Sequence, residues 1–154
     1  MATLGARYPV LTISFGTDGQ VYKNRFVKLN TAKERNVEAI SATGDTPLGV
    51  VRETADGRPR SDTLQGGKGT VEVAVDMMGI VIAEAGASVS RNDKVRVDNL
   101  GRVVPATQAA NFVVGIALEG TTSPAGIVTT DGVVRGDLIS ILLLPGNPKQ
   151  DSLP

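Results

Sequence analysis

The chain contains no cysteine, no histidine and no tryptophan. The first two absences remove disulfides, thiolate nucleophiles, thiolate or imidazole metal ligands and the usual catalytic triads. What remains for catalysis is a pair of carboxylates, Ser or Thr with Lys, or Lys alone. Without cysteine the redox compartment cannot be read. Aromatics are scarce, with three Phe and two Tyr. Val, Ile, Leu and Ala must therefore fill the core, and the branched ones favour strands. Net charge is lacking as well, because sixteen basic residues balance sixteen acidic ones. Neither a basic field for nucleic acid nor an acidic one is expected. No run of about 18 apolar residues occurs, so no membrane span is expected. The N-terminus has one Arg in its first ten residues and no continuous apolar core after it, and is not read as a secretory signal.

What is present is turn chemistry between branched runs. A length of 154 residues suits one domain, or one domain with an arm. Such a chain buries roughly 70% of its unfolded surface. Eighteen Gly and eight Pro supply turns. The stretch from Gly79 to Leu118 sets the pattern, with strand-like pieces at Ile80–Ala83, Lys94–Val97, Arg102–Val104 and Phe112–Leu118. Ala85-Gly86-Ala87, Arg91-Asn92-Asp93 and Asp98-Asn99-Leu100-Gly101 separate them.

Before it, Leu11, Ile13 and Phe15 alternate with Thr12 and Ser14, the period of a half-buried strand, and Pro9 forbids a helix interior. This end of the chain reads equally as an edge strand or as an arm that contacts another subunit. Tyr22–Leu29, Val37–Ile40, Leu48–Val51 and Thr70–Val75 are further strand candidates, with Asp76-Met77-Met78 as a lead-in to the next. Residues 52–69 are the most polar piece and are expected as an exposed loop. Asp131-Gly132 between branched residues signals a hairpin. Leu138–Leu144 is a final strand, closed by Pro145 and Pro148. No segment carries helical periodicity over three turns, although Thr31–Glu38 or Val104–Val113 could hold a single short helix.

Two stretches invite comparison as an internal repeat. Val37 precedes Gly49 by twelve residues, Val103 precedes Gly115 by twelve, and both intervals end in an apolar-Gly-apolar strand. Upstream, Phe26–Leu29 resembles Lys94–Val97, with a spacing that differs by two residues. Two similar β-units or a chance likeness of valine-rich strands both fit.

Tests for chemistry come back empty. Gly66-Gly67-Lys68-Gly69-Thr70 fails as a phosphate loop, because Asp62 stands where the first Gly is needed and Gly69 follows the Lys. Asp93, Asp98, Asp131 and Asp137 fall at turns, where an Asp caps its own backbone, and no Asp-x-Asp-x-Asp-Gly run marks a cation loop. Ser88, Ser90 and Lys94 are close in sequence, but a solvated face is the better reading. Lys94 opens a strand and is not at a hairpin tip, which argues against a lipoyl or biotinyl acceptor. Arg58 and Arg60 flank Pro59 in the polar loop and could meet an acidic neighbour.

Six pieces recur together in order: Leu48-Gly49-Val50-Val51, Gly79 in a strand, Asn92-Asp93-Lys94-Val95, Gly101-Arg102-Val103, Val114-Gly115-Ile116-Ala117-Leu118 and Gly136-Asp137-Leu138-Ile139-Ser140-Ile141. This set, over residues 20–144, resembles the capsid decoration (cement) proteins of tailed bacteriophages. The resemblance implies a small β-rich homotrimer made in the host cytoplasm and placed on the outer surface of an icosahedral head. There it would bridge major capsid subunits against internal pressure, without cofactor, metal or catalysis and without nucleic-acid or membrane partners.

The expectation is therefore an all-β domain, a small barrel or sandwich, over residues 20–144. An N-terminal arm or edge strand over 1–19 precedes it, and a short irregular tail over 145–154 follows. Tyr8, Val10, Leu11, Ile13 and Phe15, with Arg58 and Arg60, are the candidate intersubunit or capsid contacts. The alternative is a glycan-binding or other surface β-module, against which the lack of Trp counts. A third class, a hydrolase using carboxylates or Ser/Lys, would need a convergent cluster in a pocket.

Overall fold

A computed structural model describes residues 7–57, 71–107, 112–121, 127–128 and 134–144. Among these residues there are thirteen strands and no helix: β1 (Tyr8–Thr17), β2 (Gln20–Val21), β3 (Phe26–Leu29), β4 (Val37–Ala39), β5 (Gly49–Val51), β6 (Ala55–Asp56), β7 (Val71–Glu84), β8 (Lys94–Val97), β9 (Val103–Pro105), β10 (Gly115–Ala117), β11 (Ile127–Val128), β12 (Val134–Arg135) and β13 (Leu138–Leu143). The all-β expectation holds, and the main sheet curls into a half-barrel.

Nine strands form that sheet, in the order β4-β3-β5-β7-β13-β10-β8-β9, with β1 also paired to β7. All of its strand pairs are antiparallel. Ile80 and Gly79 pair with both β1 and β13, while Asp76 and Val75 pair with both β1 and β5. A strand has two edges, so β1 occupies one edge of β7, and β5 and β13 follow one another along the other. Two short pairs stand outside the sheet, β2 with β6 and β11 with β12. The turn Asp131-Gly132 between β11 and β12 lies outside the described residues, as do Arg58 and Arg60. The polar stretch at 52–69 begins with a strand, β6, because Gln20 and Val21 offer it an edge to pair with.

The chain read as separate pieces at Thr70–Val75 and Ile80–Ala83 is one strand of 14 residues. Asp76 looks like a break in the sequence, yet its side chain is fully buried and ion-paired. The strand is irregular just beyond it. The register with β1 slips between Pro9 and Leu11 and again between Leu11 and Thr12. Gly79 takes φ +95°, and a Cβ there would meet the Tyr8 carbonyl oxygen at 2.5 Å and the Val10 nitrogen at 2.7 Å. Only glycine fits a left-handed residue so close to another backbone.

Two hydrophobic clusters result. The larger gathers Phe26, Val50, Val81, Val95, Ile139 and Ile141 with their neighbours. The smaller gathers Val21, Val27, Val37, Val51, Val73 and Val75. Adjacent residues of β3 and β5 go to different clusters, Phe26 and Val50 to one, Val27 and Val51 to the other. Because side chains alternate along a strand, β3 and β5 lie between the two cores. β7 passes from the smaller core to the larger one across its break at Met77–Gly79.

The sequence repeat is a structural one. The order β4-β3-β5-β7 in one half matches β9-β8-β10-β13 in the other. A constant step of 66 residues relates Val37 to Val103, Gly49 to Gly115 and Val75 to Ile141, and a step of 68 relates Asn24 to Asn92. Asn24 and Asn92 both have positive φ, 64° and 74°. The hydrogen bonds correspond as well. Asn24 N–H donates to Val51 O, and Asn92 N–H to Ala117 O. Leu48 N–H donates to Val27 O, and Val114 N–H to Val95 O.

Candidate interaction surfaces

Three features could engage another molecule: the strand β1, the outward face of the sheet and a group of concavities around the loop Thr43–Leu48.

β1 is fastened by polar contacts as much as by packing. Thr12 Oγ1 donates to Asp76 Oδ1 at 2.7 Å, Arg52 Nε donates to the same oxygen at 2.7 Å, and Arg52 Nη2 reaches Thr12 Oγ1 at 3.1 Å. Arg7 Nε faces Asp76 Oδ2 at 3.4 Å and its Nη2 donates to Asn24 Oδ1 at 3.0 Å. A buried carboxylate needs such partners. None of the ten residues of β1 is charged. Tyr8 is 67% and Val10 77% exposed. Leu11 lines a groove, Ile13 is half-buried opposite Val75, and Phe15 packs on the smaller core. The five apolar candidates thus divide: Tyr8, Val10 and Leu11 are presented to solvent, whereas Ile13 is half-buried and Phe15 packs inside the chain.

The outward face follows from register. Val81 and Ala117 each pair with Ile141, and all three are buried in the larger core. Their neighbours therefore point the other way. Tyr8 pairs with Ile80, Ile80 with Leu142, Leu142 with Ile116, and Ile116 with Lys94. This row crosses five strands, about 19 Å at the usual inter-strand spacing, and carries no charge until Lys94. All of its members are exposed or half-buried.

Around Thr43–Leu48 the surface is concave. An apolar groove of about 310 Å³ is lined by Leu11, Met77, Met78, Pro47, Leu143 and Leu144, among others. Across the same loop lies a more polar pocket of about 220 Å³, lined by Thr43, Gly44, Asp45, Pro47, Arg96, Val97 and Phe112. Asp45 Oδ2 accepts from Lys28 Nζ at 2.9 Å and from the backbone N–H groups of Ser41 and Ala42. These bonds, the lysine's first, hold the Asp45 carboxyl down at about 2. The same contact raises Lys28 above its ordinary value. Arg96 is the residue that reading the sequence passed over. Its Nε–H is buried and meets no acceptor among the described residues.

Elsewhere the charged residues serve the fold. Arg25 Nε and Nη2 donate to the two oxygens of Glu84 at 2.9 and 3.2 Å, and Gly136 N–H donates to Glu84 Oε1 at 2.8 Å. Asp98 Oδ1 accepts from the N–H groups of Leu100 and Arg102, and Asp93 Oδ2 from that of Ser90. Asp98 thereby makes an Asx turn, while Asp93 reaches back three residues to cap the turn that its own N–H closes on Ser90 O. Ser88, Ser90 and Lys94 are exposed. Among the described residues no group of three or more acidic side chains converges on a metal position.

No protein-family model matches the sequence, and no curated protein does either. Among solved structures, the chain is similar to the N base of the head fiber gp8.5 of bacteriophage phi29. The TM-score is 0.60 at 15% identity, over 89% of this chain and 98% of that one. At that identity the likeness is one of fold, and it extends over nearly the whole of both chains.

Proposed function

We propose that this chain is a structural protein of a tailed-bacteriophage virion, seated on the outer surface of an icosahedral head. In this reading its copies associate as a homotrimer and bridge neighbouring major capsid subunits, which stabilises the shell. The observation that carries the reading is the fold shared over most of its length with the N base of a phage head fiber. Two features of the chain support it. The uncharged outward row Tyr8–Ile80–Leu142–Ile116 is apolar surface that association between copies would cover. The exposed apolar residues of β1 and the groove beside them suit contact with a second protein. Many moderate contacts repeated over a shell hold by multivalency without a single tight site. No observation favours a glycan module, since Tyr8 is the one exposed aromatic among the described residues.

The test combines light scattering on the purified protein with co-sedimentation on expanded, undecorated heads. A trimer that saturates heads at a regular stoichiometry is expected, and a monomer that stays in the supernatant would reject the reading. Removing residues 2–15 is not a clean variant, because it also strips Thr12 from buried Asp76. The double substitution of Tyr8→Ser and Val10→Ser leaves that fastening intact. It is expected to lower head occupancy at unchanged thermal stability.

A further inference from the structure

We propose that the pocket around Arg96 is a carboxylate-binding site, and that its ligand is an Asp or Glu side chain of the protein on which this chain docks. The identity of the docking partner rests on the function proposed above; the carboxylate chemistry does not.

The argument starts from the repeat. Arg96 stands 68 residues after Lys28, at the same place in the equivalent strand. Lys28 pairs across the ladder with Glu38, and Arg96 pairs with Val104. Lys28 Nζ bonds Asp45 at 2.9 Å and faces Glu38 at 3.5 Å. In the second unit the position matching Glu38 is Val104 and the position matching Asp45 is Asn111. The cation is present in both units, while both acids are gone from the second. Arg96 keeps a buried Nε–H without an acceptor, and among the described residues no ion pair involves it. A buried donor left unpaired costs about 1–3 kcal/mol, and because Arg96 itself lines the pocket, a turn of its guanidinium would bring that donor to an acceptor from outside.

The shape and charge of the site narrow the ligand. A guanidinium presents a planar fork that fits a carboxylate with two parallel bonds. The pocket, about 220 Å³, is large enough for one short side chain. Asp45 lies on its wall, with its own charge engaged by Lys28. A second anionic wall disfavours a doubly charged phosphate more than a singly charged carboxylate. Among the described residues, Arg96 and Asp45 are the only charged ones that line it, so the row of cations a nucleic-acid groove needs is not found there. Pro47 lines both this pocket and the apolar groove. A protein segment that carries an acidic residue beside an apolar one can occupy both, which a free anion has no need to do.

The site can be read without heads. The full-length protein is labelled at its arginine Nε–H groups, and sodium acetate is titrated in at constant ionic strength. The Arg96 signal is expected to shift and saturate, while exposed Arg35 and Arg91 change only as they do in sodium chloride. A linear, unsaturated response at Arg96 overturns the site, and saturation by inorganic phosphate but not by acetate overturns the ligand class. Because Arg96 has no partner to lose, Arg96→Gln is expected to leave thermal stability unchanged; a marked loss would make Arg96 structural and reject the proposal. On heads, Arg96→Gln is expected to weaken binding about tenfold, the scale of a lost charge-assisted hydrogen bond, with Arg96→Lys intermediate. Saturation by acetate with undiminished head binding of Arg96→Gln would reject the docking role of the pocket while the capsid reading stood. Failure of the unmodified protein to bind heads would sink the capsid reading, and the acetate titration would still decide the pocket.

Discussion

The two repeat units, β3–β4–β5 and β8–β9–β10, share a backbone and differ in their electrostatics. Both enter through an Asn in the left-handed region, and both place a Gly where one strand crosses the carbonyl of the next. A Cβ on Gly49 would press on the carbonyl oxygen of Asp76 and on Val75, and one on Gly115 on that of Leu142 and on Ile141. The side chains around this frame have gone separate ways. Arg25 of the first unit is a buried cation clasped by Glu84, whereas its counterpart Asp93 caps an exposed turn. Lys28 is neutralised by two acids, and Arg96 by none among the described residues. Backbone sterics admit few substitutes at a position, while surface charge can change as long as its partners change with it. The difference between the units therefore marks where the chain answers to something other than its own fold.

The comparison is broken most severely at the buried pair. Glu84→Ala removes the two bonds that the buried Arg25 guanidinium makes to its carboxylate and is expected to cost about 3–5 kcal/mol in denaturant unfolding. Asp93→Ala, at the equivalent of the arginine, is expected to cost under about 1 kcal/mol. Equal losses from the two would mean that the units are fastened alike.

Smaller effects should come from the shared glycines. Gly49→Ala and Gly115→Ala each force a methyl against a neighbouring backbone, and each is expected to destabilise by about 1–3 kcal/mol. Similar values would support one steric rule in both halves, and a tolerant Gly115 would show that β10 can move away from β13.

The asparagines separate conformation from contact. Asn24→Ala and Asn92→Ala should each lose about 1 kcal/mol through the left-handed backbone. Glycine in their place should restore Asn92 fully but Asn24 only in part, because Asn24 also accepts from Arg7.

The smallest effect is a pH dependence confined to the first unit. Asp45 is held at about 2, below its ordinary 3.8, chiefly by Lys28. Its folded value is depressed, so its contribution is complete above the unfolded value and is lost as pH falls from about 3.8 towards 2. Melting temperature measured from pH 5 to pH 2 should fall less steeply for Asp45→Asn than for the unmodified protein. The pair is partly solvated, so the difference is modest.

Most of the strands and turns were readable in the chain because they depend on local chemistry, whereas β2 and β6 were not, since each is a strand only through the other. Alternation marks β1, branched runs mark β8 and β13, and Gly, Asn and Asp mark the turns between them. The repeat could be seen from the twelve-residue spacing of Val37 to Gly49 and of Val103 to Gly115. The unity of β7 could not be seen, because Asp76 is polar in the middle of it and its partners Arg52, Thr12 and Arg7 arrive from distant segments. Phe15 could not be assigned to the core by pattern alone, since alternation names a face without saying what lies against it.

Composition determined by itself that the protein would lack imidazole and thiol chemistry, and branched residues between turn formers determined that it would be built of strands. Those properties belong to residues singly or to neighbours in sequence. Only the tertiary structure decided that β3 and β5 would separate two cores, and that Tyr8, Ile80, Leu142 and Ile116 would form one row. It also decided that Lys28 would find Asp45 while Arg96 found no acid among the described residues. Each of these depends on which strand lies beside which, and strand order is set by long-range pairing that no local stretch of sequence contains.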